Sequence, residues 1–165
     1  MSQLASLEGV PSAYAAARDG IDVVLRDRGL RRTSPETTAE SLLRGAHASA
    51  CLEGSRSSLV EVREGAGDEV ALDAVRVSTE LLGLAPALSR TPLQALARIH
   101  AVAASGLPEQ QRGRPRDAGS AERLRGIGEL LTSRADVPAL VLAAVVHAEL
   151  ATAAPFASHN GLVAR

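Results

Sequence analysis

Val137-Pro-Ala-Leu-Val-Leu-Ala-Ala-Val-Val-His-Ala-Glu-Leu150 is apolar on nearly every face of a helical wheel. A helix with no polar side for water to select belongs at the centre of a bundle. The run is too short to cross a bilayer, which takes about 20 apolar residues. Asp136 stands where a cap would, and Pro138 falls at the second helical position. The expectation is an all-α fold, a bundle around a central buried helix over 137–150.

Working outward, the neighbouring segments also read as helices. Residues 11–29 place Tyr14, Ala17, Ile21, Val24 and Leu25 on one stripe, with Pro11 in the first turn and Gly29 as the stop. A second helix opens at Thr33-Ser34-Pro35-Glu36, where Ser34 can cap, and runs through Leu42, Leu43 and Ala46 towards Cys51. Gly54 ends it and Ser55 to Ser58 is a loop. Glu61 to Asp68 is charged and Gly-rich, which reads as a surface turn. Val70 to Leu84 has helical spacing, and Thr91-Pro92 opens another helix closed by Gly106. Residues 106–120 hold Gly106, Pro108, Gly113, Pro115 and Gly119 with Arg112, Arg114 and Arg116 among them, a short irregular flap. Helix resumes from Ala121 to Arg134.

Composition narrows the function classes. The 165 residues suit one domain, and 45% hydrophobic with 22% charged is globular composition. A formal net charge of -1 offers no basic field, so no nucleic-acid partner is expected. Aromatics are 1%, Tyr14 and Phe156 alone, which disfavours stacking on bases or sugars. All 18 Lys/Arg positions are Arg, which reads as coding bias. The single cysteine, Cys51, fits a reducing cytoplasm. Near a helix C-terminus its thiolate is disfavoured. His47 and His100 have no acidic or cysteine partner at ligand spacing, so no protein metal site is expected. No signal peptide or membrane segment is read.

After the apolar helix the chain turns through Ala153-Ala154-Pro155 and Ala157-Ser158-His159-Asn160-Gly161, and Gly161-Leu-Val-Ala-Arg165 reads as the first turn of a further helix. A last helix that has only begun reads as a C-terminal truncation. The stretch Ala154-Pro-Phe-Ala-Ser-His-Asn-Gly-Leu-Val-Ala-Arg165 resembles the signature His-Pro-Phe-x-(Asp/Glu)-Gly-Asn-Gly-Arg-x-x-Arg of the Fic/Doc (Fido) family. Pro155, Phe156, Asn160, Gly161 and Arg165 match. Ser49-Ala-Cys-Leu-Glu53-Gly54 fits (Ser/Thr)-x-x-x-Glu-(Gly/Asn), the inhibitory helix motif of many Fic proteins, in its N-terminal placement. Their order, with a helical chain between, makes 34–165 similar to a Fic domain and 1–33 an N-terminal helical extension. His147 stands where that family often has a helix histidine, here read as a partly buried structural residue. The flap carrying Arg112, Arg114 and Arg116 stands where the family positions its target.

The resemblance implies AMP transfer from ATP with Mg to a protein hydroxyl, and the departures bear on each step. The family's general base is replaced by Ala154, which by itself costs about 100- to 10,000-fold. The magnesium-holding acid is replaced by Ser158. The first glycine of the phosphate-cradling turn is His159, a conceivable substitute base in a different direction, and the first arginine is Leu162. Asn160, Gly161 and Arg165 remain as phosphate contacts. Ser49, Glu53 and Gly54 remain as the inhibitory motif, in which Glu53 is expected to pair with Arg165. The implied protein is thus a degenerate, autoinhibited, nucleotide-binding or regulatory member with a protein target or regulator, and room for a homodimer. Its rivals are a diverged nucleotidyl or phosphoryl transferase acting on protein hydroxyls, using His159 or groups beyond Arg165, and a helical interaction scaffold without ligand.

Overall fold

The computed structural model describes residues 2–27, 34–133 and 137–165. Nine α-helices and one 3₁₀ turn make up their regular structure, with no strand among the described residues. In chain order the helices are α1 Ser2–Ala5, α2 Val10–Arg26, α3 Pro35–Leu52, α4 Leu59–Arg63 and α5 Glu69–Arg90. They continue as α6 Pro92–Ala103, α7 Ala118–Thr132, α8 Ala139–Ala153 and α9 Asn160–Ala164. The all-α expectation holds.

Local chemistry sets the boundaries. Ser34 caps α3 by accepting the Thr37 N–H, with Pro35 opening the first turn. At the other end Gly54 takes φ +95°, Gly54 N–H donates to the Cys51 carbonyl, and Ser55 N–H donates to the Ala50 carbonyl. This crossed pair is a Schellman closure, and it leaves Glu53 as the last residue of the helix end. The segment expected to be one surface turn, Glu61 to Asp68, instead begins with α4. Ser58 and Glu61 form a reciprocal capping box there, enough to nucleate a single turn of helix. Asp68 then caps α5 and also accepts from the Ser55 hydroxyl, tying the end of α3 to the start of α5.

The core lies where α5 packs against α3 and against α6. Ala46, Ala50, Ala71, Ala74, Ala95 and Ala103 are all buried, so these helices approach closely through small side chains. Leu96 and Ile99 of α6, Leu124 and Ile127 of α7, and Phe156, Leu162 and Val163 near the C-terminus fill the rest.

The helix expected at the centre is not there. In α8 only Leu150 is fully buried, and Leu140 is 41% exposed. Side chains that are apolar all round carry no directional preference, so α8 takes what the amphipathic helices leave. Its partners are α9 and α7. The central position belongs to α6, which packs against α5, α7 and α9 and buries Leu96, Ile99, His100 and Ala103 on one face. Pro138 caps α8 from outside, and the expected cap Asp136 lies outside the described residues. The expected helix ends Gly29 and Arg134 and the residue Thr33 lie outside them too.

The other limits shift by a turn or less, except in α5. That helix continues past Leu84 to Arg90, through Pro86. The flap over 106–120 is irregular apart from the 3₁₀ turn Glu109–Gln111, and α7 starts at Ala118, capped by Asp117. The stripe expected to bury the first helix buries nothing. No residue of α2 is buried, and Ile21, Val24 and Leu25 are exposed. The α1–α2 pair faces α8 across an open apolar cleft of about 430 Å³ lined by Leu7, Tyr14, Leu140 and Val145 among others.

Candidate functional site

The site is a loop held between two helices. α8 ends at Ala154, which takes the left-handed φ of +43°, and α9 begins after His159, at φ +56°. These are the only non-glycine residues with positive φ among the described residues, and they bracket the turn. Asn160 braces it from within. Its Oδ1 accepts the Phe156 N–H at 2.9 Å and its Nδ2 donates to the Phe156 carbonyl at 3.0 Å. The Asn160 side chain is thus spent on loop geometry and not extended towards a ligand.

Phe156 anchors the loop in the core, stacked on His100 with ring centroids 4.2 Å apart and planes 9° from parallel. His100 is wholly buried. Its Nδ1 accepts the Gly113 N–H at 2.9 Å, so Nε2 carries the proton of the neutral ring, and Nε2 has no hydrogen-bond partner. Burial, followed by the neighbouring His159, pushes the His100 pKa down to about 4, with the Ser158 main chain acting weakly the other way.

The flap docks on the same loop. Arg116 N–H donates to the Pro155 carbonyl at 2.9 Å and its guanidinium reaches the Ala153 carbonyl at 3.4 Å. Arg112 donates to the Leu107 carbonyl at 2.6 Å. Arg114 is exposed. Arg112, Arg114 and Arg116 therefore do not converge on one point.

Opposite the loop, Glu53 and Arg165 meet. Arg165 Nη2 donates to Glu53 Oε1 at 2.6 Å and to the Ser49 carbonyl at 3.1 Å. Both side chains are about three-quarters covered. The Glu53 carboxylate also lies directly against Gly161, and a Cβ added there would overlap it. Ser49, Glu53, Gly161 and Arg165 thus form one cluster, with the carboxylate seated in the space that a side chain at 161 would take. A groove of about 210 Å³ lined by Ser49, Leu162 and Arg165 among others adjoins it. That is below the roughly 300–1,000 Å³ of ordinary ligand sites.

Two histidine readings change. His147 is exposed rather than partly buried, and it is structural in another way, since its Nδ1 donates to the Ala164 carbonyl at 2.9 Å and ties α8 to α9. His47 does have a cysteine neighbour: Cys51 Sγ is 3.6 Å from its Nε2, one helical turn on, while the same nitrogen bonds the Ser57 carbonyl at 2.9 Å. No group of three or more His, Cys, Asp or Glu able to hold a metal occurs among the described residues.

The residue that sequence reasoning missed is Asp73. It is buried, ion-paired with Arg76, and receives the Ser105 hydroxyl at 3.4 Å and His159 Nε2 at 3.2 Å. His159 Nδ1 in turn lies 2.6 Å from the Ser158 hydroxyl. The signal was present, because Val70, Asp73, Ala74 and Val77 share one helical stripe, and an acid on an apolar stripe needs buried partners.

No family model, curated protein or solved structure matches the chain.

Proposed function

We propose that the chain is a Fic-like domain with a degenerate AMP-transfer site, acting in the cytoplasm as a nucleotide-binding or regulatory protein and not as an AMP transferase of the ordinary kind. The observation that carries this reading is the Glu53–Arg165 pair seated against Gly161. A carboxylate held by an arginine, lying so close to Gly161 that an added Cβ would push it aside, occupies a place suited to a phosphate. Residues for the phosphate fit; residues for a resident magnesium do not, since Ser158 is bonded to His159, the nearby Asp73 is taken up by Arg76 and His159, and no group of three or more metal-binding side chains occurs among the described residues. Magnesium would arrive only as the counter-ion of the nucleotide. Ala154 supplies no base, so the reading includes no transfer step.

In this reading Glu53 is a latch. Its ion pair is partly solvated, so it contributes about 1 kcal/mol or less and a competing phosphate can displace it. The test is calorimetry of ATP with Mg²⁺ on the full chain and on Glu53→Gly. Binding that appears in the variant, or tightens by about tenfold, supports the reading. No heat from either protein, with helicity intact by circular dichroism, overturns it in favour of a scaffold.

A further inference from the structure

The strained loop carries a second arrangement that the nucleotide reading does not use. Asp73 is 1% exposed, and its Oδ1 is held by Arg76 and Ser105. Its Oδ2 meets His159 Nε2 at 3.2 Å. A carboxylate only accepts, so Nε2 carries the ring proton, and Nδ1 of the neutral ring is left as an acceptor. The atom facing Nδ1 is Ser158 Oγ, at 2.6 Å, with the hydroxyl donating. That distance lies within the reach of a general base for the proton it abstracts.

The chain of contacts runs hydroxyl, imidazole, buried acid. Each member comes from a different constraint. Asp73 is set by α5, His159 by its left-handed backbone at φ +56°, and Ser158 by the turn that Asn160 braces. A non-glycine residue held at positive φ stores strain that the surrounding structure must hold in place. Here the strain points an imidazole inward to a buried carboxylate 86 positions away. Ser158 and His159 are each partly exposed, the His159 side chain by 22%.

We propose that Ser158 is a nucleophile towards small activated esters, with His159 as its base and Asp73 as a positioning residue. With an activated carboxylic ester, the Ser158 Oγ–acyl bond forms and the ester C–O bond breaks. The Ser158 proton passes to His159 Nδ1 and leaves with the departing alcohol. Asp73 keeps the ring in the required tautomer and steadies its charged form. The inference stands whether or not the chain binds nucleotide.

A fluorophosphonate probe tests it on the full chain. The Oγ–P bond forms, fluoride leaves, and the adduct is mapped by mass spectrometry. Stoichiometric labelling at Ser158, lost in Ser158→Ala and in urea-unfolded protein, is expected. His159→Asn, which tolerates left-handed backbone, should slow labelling by about 100-fold or more. Asp73→Asn should slow it by at least about tenfold with unchanged circular dichroism. Absence of labelling in the wild type, labelling at another residue, or a rate indifferent to His159→Asn would overturn the proposal. The last outcome would leave the His159–Asp73 contact as an anchor of the loop.

Discussion

His100 shows how much one buried side chain ties together. It stacks on Phe156, accepts the Gly113 N–H, and keeps an unpartnered Nε2 in the core. Its pKa falls from 6.5 to about 4 because burial disfavours the charged ring. The unfolded chain therefore binds a proton that the folded chain refuses between those two values. The contribution of neutral His100 is complete above pH 6.5 and is lost as the pH falls towards 4, on the order of 3 kcal/mol in all. Urea titrations across that range should show stability falling with acidification, and His100→Gln should flatten the slope by about one proton. The Asn160 brace and the Glu53–Arg165 pair belong to this scale as well. Asn160 and the two ion-pair partners were each recognisable in the chain from short motifs, but the use to which the Asn160 side chain is put was not.

At the scale of elements, helix starts were the most legible feature. Ser34-Pro35-Glu36 reads as a start from local capping chemistry. Asp68 and Asp117 cap α5 and α7 through equally local contacts but lie in segments that read as a surface turn and a flap. The short helix α4 was equally local in origin, since Ser58 and Glu61 satisfy each other, and only its brevity hid it among charged residues. Pro86 is the contrary case. A proline deletes the bond to the carbonyl four residues back and ordinarily ends a helix. Yet α5 passes through it to Arg90, with Pro86 on an exposed face where water can serve the freed carbonyl. Pro86→Ala restores the missing N–H, and thermal or denaturant unfolding should show stabilisation by about 1–2 kcal/mol. Unchanged or lower stability would mean that the helix gains nothing from the restored N–H at this position.

On the scale of the whole molecule, the N-terminal pair α1–α2 is the least integrated part. With no buried side chain in α2, little apolar transfer energy attaches it to the remaining helices. A chain beginning at Ser34 should unfold as cooperatively as the full one, with a Tm lower by less than about 4 °C. A broad, non-cooperative transition would instead make the pair part of the core. Among the described residues no helix is long and apolar enough to cross a membrane, so the exposed apolar faces of α2 and α8 do not form a span.

The sequence alone determined the helical class, most helix starts and the loop between α8 and α9. These follow from capping, glycine placement and apolar spacing, all of which act over a few residues. The pairing of Glu53 with Arg165 is expected only from the resemblance of two short stretches to family motifs, and the ion pair itself is a tertiary contact. Tertiary structure alone decided which helix is central, since the uniformly apolar α8 carries no orientation while α6 has one face that α5, α7 and α9 bury. It alone joined Asp73 to His159 and Phe156 to His100. Those contacts span dozens of residues, and they exist only because chain packing places buried polar groups where each finds a partner.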